Sequence, residues 1–206
     1  MTHRSSLLAC CVIFAAGLLI SMNTLAEGSI EAGKEKAATC AACHGNDGNS
    51  LNPQWPNLAG QHATYIVRTL KAFKSGERKN VLMAGQVGAL SDQDMEDLAA
   101  WFQSQKPVHR TADPELVAHG ERLYRGGDIE RGISACIACH GPTGRGNLPA
   151  AYPALAGQHA TYTATQLKAY ADGSRKSDPN QIMRSIASLL NDNDIAAVAS
   201  YIQGLR

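Results

Sequence analysis

The apolar and polar positions of this 206-residue chain follow two different patterns. Leu7–Ile20 is an uncharged apolar run of 14 residues behind Arg4, and Thr24–Ala26 then offers small residues to a signal peptidase. A membrane-spanning helix needs about 20 apolar residues, so the run predicts an export signal over residues 1–26, cleaved after Ala26. The alternatives are an uncleaved N-terminal anchor or, with weaker support, a lipoprotein signal at Cys10, which lies inside the apolar run.

Beyond the export signal, apolar residues recur at helical spacing. Leu116, Leu123 and Tyr124 share one face of a helix that Asp113 caps and Pro114 begins. Further helices are expected over about 30–39, 62–75 and 159–171, and terminal helices are expected to start at 91 and 191. Gly, Asn and Pro are frequent in residues 45–56 and 141–153, which predicts loops. No useful length alternates like a strand, so we predict an all-α fold.

The chain contains an internal repeat. The octapeptide Leu-Ala-Gly-Gln-His-Ala-Thr-Tyr occupies residues 58–65 and recurs letter for letter at 155–162. Two prolines and few apolar residues mark 106–114 as a linker. We therefore predict two tandem copies of one small helical domain, over residues 27–110 and 111–206.

The net charge and the arrangement of the cysteines limit the functions that the chain can have. The formal net charge is only +1, which argues against nucleic-acid binding. Once the export signal is removed, the four remaining cysteines form two Cys-x-x-Cys-His motifs. The motif residues are Cys40, Cys43 and His44, and Cys136, Cys139 and His140.

This pentapeptide is the attachment motif of c-type haem. Two thiols at this spacing reach both vinyl groups of the porphyrin, and the adjacent histidine reaches the iron. Disulfides, a thioredoxin-like pair or a zinc site would also use paired cysteines, but none of them explains the histidine. We predict two covalently attached haem c groups, which would also supply bulk to a chain with only 5% aromatic residues.

The second axial ligand decides whether such an iron is saturated. Met83 and Met183 occupy equivalent positions in the two copies and are the expected ligands, opposite His44 and His140. Met95 has an isoleucine as its counterpart and is expected in the core. The rival ligands are His62 and His159, which are expected in exposed polar roles, His109, which lies in the linker, and His119, whose aligned position in the first copy is Ala32.

Taken together, the order of motif, Pro-x-Leu loop, methionine and terminal helix resembles a small cytochrome c. Two such units in one exported chain resemble the dihaem cytochrome c4 family, and the resemblance covers nearly the whole mature chain. It implies a pseudo-twofold arrangement of two cytochrome c-like domains. It also implies that the carbonyls of Pro56 and Pro153 accept hydrogen bonds from the ligating histidines. Leu58 and Leu155 would pack on the haems. Gly33 and Gly120 would let the first and last helices cross closely, near Trp101 and Tyr201.

The resemblance implies a periplasmic electron carrier rather than an enzyme. Its redox protein partners would be a quinol-oxidising bc-type complex as donor and a terminal oxidase as acceptor, with loose membrane association. A dihaem peroxidase with one open iron is the alternative enzyme, although a methionine in both copies argues against it. A dedicated subunit that feeds electrons into a larger complex is a third possibility.

Overall fold

The computed structural model describes residues 28–206, so the export signal predicted over residues 1–26 lies outside the described residues. The described chain is helical and has no strands apart from two isolated bridges, Asp128–Ile133 and Asn147–Tyr152. The all-α prediction is confirmed. The α-helices in chain order are α1 (Ile30–Lys36), α2 (Ala41–His44), α3 (Ala63–Ser75), α4 (Val81–Val87), α5 (Asp92–Ser104), α6 (Pro114–Gly126), α7 (Ile137–His140), α8 (Ala160–Ala171), α9 (Ile182–Ala187) and α10 (Asp192–Gly204).

Each half folds around the crossing of its first and last helices. In the first half α1 packs on α5, and in the second half α6 packs on α10. A Cβ at Gly33 would lie 2.0 Å from the Asp97 carbonyl oxygen, and a Cβ at Gly120 would lie 2.2 Å from that of Ala197. Only glycine permits these approaches. The expected roles of both glycines are therefore confirmed.

Helices α5, α6 and α10 begin at the side-chain caps that the sequence predicts. Ser91 and Asp94 form a capping box at the start of α5, and Asn191 and Asp194 form its counterpart on α10. The Asp113 side chain accepts from the Glu115 N–H ahead of Pro114 at the start of α6. Helices α3 and α8 start one residue later than expected, because His62 and His159 are their N-cap residues and have extended backbones.

Several short elements escape prediction from the sequence. Helix α1 ends at Lys36, and a 3₁₀ turn over Ala37–Thr39 follows it directly. The four-residue helices α2 and α7 carry the cysteine motifs, and α4 and α9 carry Met83 and Met183. Helices this short show too few turns for an apolar periodicity to be visible.

The two halves have separate apolar cores, joined by a linker that packs on both. One core includes Leu98 and Phe102, and the other includes Tyr124 and Ile202. Arg110 in the linker donates to the carbonyls of Ser50 and Gly157, at 3.1 and 3.3 Å, and so bridges the halves. Within residues 28–206 no helix combines the length and the apolar character needed to cross a bilayer.

Candidate functional site

The first Cys-x-x-Cys-His motif is held in a tight helical turn. Cys40 is the N-cap of α2, and the His44 N–H closes the turn on the Cys40 carbonyl at 2.9 Å. Cys40, Cys43 and His44 all line one large cavity, and neither thiol is in a disulfide. The imidazole is buried, and its Nδ1 lies 2.9 Å from the Pro56 carbonyl oxygen.

The second motif repeats this geometry. The His140 N–H closes on the Cys136 carbonyl at 2.9 Å, and the Nδ1 of His140 lies 2.9 Å from the Pro153 carbonyl oxygen. Both thiols, Cys136 and Cys139, again line the cavity without forming a disulfide. The hydrogen bonds expected at the two prolines are present in both halves.

The electrostatics suit a metal-ligating imidazole. A carbonyl oxygen can only accept, so Nδ1 carries the proton in both histidines and Nε2 keeps its lone pair for a metal. Burial lowers the pKa of His44 and His140 despite the carbonyl bonds, which keeps both rings neutral at physiological pH. Burial likewise raises the pKa of Cys40, and it raises that of Cys136 to about 11.

A single cavity of about 1340 Å³ runs across both halves of the protein. Leu58 and Leu155 line it from the loops after the motifs, and Met83 and Met183 line it from α4 and α9. Met95 is fully buried in the first half and is absent from the lining, which confirms its expected place in the core. Each half therefore presents two thiols, one imidazole and one thioether to the same space.

The rival histidines do not reach this cavity. His62, His159, His109 and His119 are all absent from its lining. The expectation of exposed roles for His62 and His159 is wrong. His159 is only 4% exposed, with its Nε2 2.9 Å from the Ser50 carbonyl oxygen, and the Nε2 of His62 is buried without a partner. His159 lies where the two halves meet, and the sequence of its own helix cannot reveal this burial.

The repeated octapeptide belongs to the interface between the halves. The Gln61 side chain exchanges two hydrogen bonds, both 2.9 Å, with the backbone of Ala154, and the Gln158 side chain makes the same pair with Asn57. Tyr65 and Tyr162 each accept a hydrogen bond from an arginine of the other half. These contacts between the halves are not predictable from local patterns, and the letter-for-letter repetition of polar residues in the octapeptide is the signal in the sequence that marks them.

The donor set fits haem rather than zinc or a disulfide. Among residues 28–206 no three His, Cys, Asp or Glu side chains gather as a metal cluster, whereas a structural zinc site needs four protein ligands. A porphyrin supplies four iron ligands itself, which leaves two axial positions for the protein. Each half presents free thiols and a neutral imidazole to the apolar cavity, and this arrangement defines a two-domain c-type cytochrome.

Comparison with known proteins supports the assignment as a c-type cytochrome and identifies the family within that class. The family model described as "Cytochrome c" matches residues 30–106 and 117–206. Cytochrome c4 of Azotobacter vinelandii is 52% identical over 87% of this chain and 90% of its own length. The crystal structure of reduced recombinant cytochrome c4 from Pseudomonas stutzeri aligns with a TM-score of 0.85 at 48% identity, covering 87% of this chain and 100% of that one. The chain belongs to the dihaem cytochrome c4 family, and it is an electron carrier with two covalently bound haem c groups.

A further relative carries the name of its redox partner. A protein named thiosulfate dehydrogenase electron acceptor, from Stutzerimonas stutzeri, is 40% identical over 90% of this chain and 90% of its own length.

Proposed function

We propose that the mature chain, residues 27–206, carries electrons in the periplasm from a quinol-oxidising bc-type complex towards a terminal oxidase. Residues 27–110 and 111–206 would each hold one haem, with His44 and Met83 as the residues that would bind the iron in the first domain and His140 and Met183 in the second. Export through cleavage after Ala26 belongs to the same proposal. Its direct check is N-terminal sequencing of the periplasmic product, which should begin at Glu27.

The equivalence of the two halves at the cavity is the observation that carries this proposal. Each half supplies the same imidazole and thioether, and the imidazole is oriented by the same proline carbonyl at 2.9 Å. When bound, the haems supply one-electron redox chemistry. Met/His ligation favours a high reduction potential and leaves no coordination site for a substrate. This argues for outer-sphere transfer and against a peroxidase with one open iron.

Residues of this chain line the space for the haems and orient the two histidines. Leu58 and Leu155 line the cavity together with residues of α3 and α8, and these side chains would limit the access of water to a bound haem. The carbonyls of Pro56 and Pro153 hold the two imidazoles in one tautomer and orientation.

The relatives named as electron acceptors of thiosulfate dehydrogenase support a second candidate donor. Two of them, 40% and 38% identical to this chain, cover 90% and 92% of it. A thiosulfate-oxidising enzyme would deliver electrons to the same haems, so the carrier role is common to both candidates and only the donor differs.

The test is to measure which donor reduces the oxidised holoprotein. Membranes containing a bc-type complex and a quinol should reduce it rapidly, and an inhibitor of the quinol site should stop the reaction. Faster reduction by thiosulfate with a thiosulfate dehydrogenase would favour the second donor. Rapid cyanide binding by the native oxidised protein would instead reveal an open iron and overturn the saturated carrier.

A further inference from the structure

The segments that lead to the two candidate methionine ligands differ between the halves. Gly76 and Gly173 occupy equivalent positions after α3 and α8, with φ of 78° and 73°. Met83 follows Gly76 by seven residues, whereas Met183 follows Gly173 by ten. The second copy therefore has three additional residues in the segment that leads to its methionine.

In the first half a local hydrogen bond caps the helix that carries the methionine. The Asn80 side-chain oxygen accepts from the Met83 N–H at 3.0 Å, and Asn80 has the extended backbone of an ordinary N-cap residue. None of residues 77–83 has a positive φ. Helix α4 therefore begins without backbone strain.

In the second half the chain enters α9 in a strained conformation. Asn180 and Gln181 have φ of 55° and 59°, in the left-handed region. Residues with a Cβ adopt this region at a cost in free energy, which is larger for glutamine than for asparagine. Within residues 28–206 the only other non-glycine residue with a positive φ is Ala151. Two consecutive residues of this kind persist only where surrounding interactions hold them.

A buried carboxylate supplies such an interaction. Asp178 accepts from the Arg184 N–H at 3.0 Å and from the Arg184 Nε at 2.7 Å, with one bond to each carboxylate oxygen. The Asp178 side chain is only 3% exposed, and Arg184 directly follows Met183 in the chain. The two bonds therefore close a loop around the strained residues. The first half has Ala84 at the position of Arg184 and so has no equivalent ion pair.

This loop borders the space for the second haem. Asp178, Asn180 and Met183 all line the large cavity. Removing one partner of a buried ion pair leaves the other charge uncompensated, which is strongly destabilising. Without Asp178, the strained residues could relax, and a movement of α9 would carry Met183 with it.

We propose that Asp178 is the positioning residue for Met183. Through its two bonds to Arg184 it fixes the start of α9 against the strain at Asn180 and Gln181, and so keeps the thioether available to the second iron. This inference rests on the proposed ligation of that iron by Met183. The second methionine then depends on a buried charge, whereas the first depends on an uncharged local cap.

The test compares a buried and an exposed carboxylate in the oxidised holoprotein. Asp178→Asn keeps the shape of the side chain and removes its charge, whereas Asp172→Asn removes the same charge from an exposed position nearby. The readouts are cyanide binding and the red charge-transfer band of methionine-ligated iron. Cyanide binds only after the thioether dissociates, so Asp178→Asn should weaken the band and speed cyanide binding at one haem by about tenfold to a hundredfold. Asp172→Asn should match the parent.

Glycine variants test the strain itself, and they remain informative if Asp178→Asn fails to keep its second haem. Gln181→Gly relieves the left-handed conformation and should slow cyanide binding relative to the parent. Ser185→Gly adds the same flexibility at an exposed helical position of α9 and should speed it. A Gln181→Gly protein that binds cyanide as fast as Ser185→Gly contradicts the proposal.

Met183→Ala separates the positioning role from the ligation. If it removes the band of one haem while Asp178→Asn changes neither the band nor the cyanide rate, the ligation stands and the positioning role is overturned. If Met183→Ala itself changes neither readout, the ligation is wrong and the positioning role falls with it. In the double variant, Asp178→Asn should add nothing to Met183→Ala, and a further increase in cyanide binding would show that Asp178 acts by another route.

Discussion

Replacing Gly120 by alanine should destabilise the second domain through a steric clash. Gly120 lies where α6 crosses α10. An added Cβ would lie 2.2 Å from the Ala197 carbonyl oxygen and 2.7 Å from the Tyr201 Cβ, whereas ordinary contacts fall at 3.4–4 Å. Neither neighbour is the flexible end of a side chain, so the crossing must open by more than 1 Å.

The size of the effect follows from three contributions. Alanine gains about 1 kcal/mol over glycine in helix propensity. Overpacking at the crossing costs about 1–3 kcal/mol. Opening it also loosens the Tyr201 ring from Tyr124 and its hydroxyl from Arg125, which costs roughly 1 kcal/mol more. The net loss is about 2 kcal/mol, and at about 4–8 °C per kcal/mol the domain should melt roughly 8–16 °C lower.

Gly126 provides the matched control, because it is in the same helix and an added Cβ there meets nothing within 4 Å. Gly126→Ala should be neutral or stabilising by up to about 1 kcal/mol. The assay is thermal unfolding of the haem-loaded protein, followed by far-ultraviolet and haem-band circular dichroism. A Gly120→Ala protein that melts at or above the Gly126→Ala protein would refute the steric argument.

Three other outcomes are expected. Met183→Ala should abolish the red charge-transfer band of methionine-ligated iron at one haem and create cyanide binding in the visible spectrum, whereas Met95→Leu should change neither and cost less than about 1.5 kcal/mol. Asp194→Asn should remove acid sensitivity from urea unfolding. Burial raises the pKa of Asp194, but hydrogen bonding to Arg131 outweighs burial and lowers that pKa to about 2. The ionised carboxylate therefore contributes about 1–2 kcal/mol of stability above pH ~4, and this contribution is lost as the pH falls towards 2. Changing both Cys136 and Cys139 to alanine should leave the second domain largely unfolded by circular dichroism, because a domain of fewer than about 100 residues has little core without its haem.

Each of these outcomes has a clear contradiction. Unchanged cyanide reactivity in Met183→Ala would place the iron ligand elsewhere. An Asp194→Asn protein whose stability still falls in acid as steeply as the parent's would assign that loss to other carboxylates. A native helical signal from the second domain without its thiols would show that the helix crossing suffices for folding.

Short-range rules explain why much of the fold could be predicted from the sequence. The capping boxes at Ser91 and Asn191 are satisfied within three residues, so they are visible to local inspection. The Cys-x-x-Cys-His motif is equally local, because one helical turn presents its two thiols and its imidazole to the same cavity. The repeat then predicted a second domain without any further structural information.

The errors arise where distant segments determine the outcome. His159 looks like a polar helix start, yet its imidazole is buried against the Ser50 carbonyl more than 100 residues away. The helices that carry Met83 and Met183 are only seven and six residues long, so packing against their neighbours decides them rather than periodicity.

By itself, therefore, the sequence determined the helical class, the duplication, the haem chemistry and the candidate ligands, because each follows from a short motif or from the match between the two copies. The tertiary structure alone decided what joins the two halves. Gln61 and Gln158 each lie more than 90 residues from the backbone they bind, and Arg78 and Arg175 meet at a single amide oxygen of Gln166. Local patterns contain no information about such partners, since the docking of two complete domains brings them together.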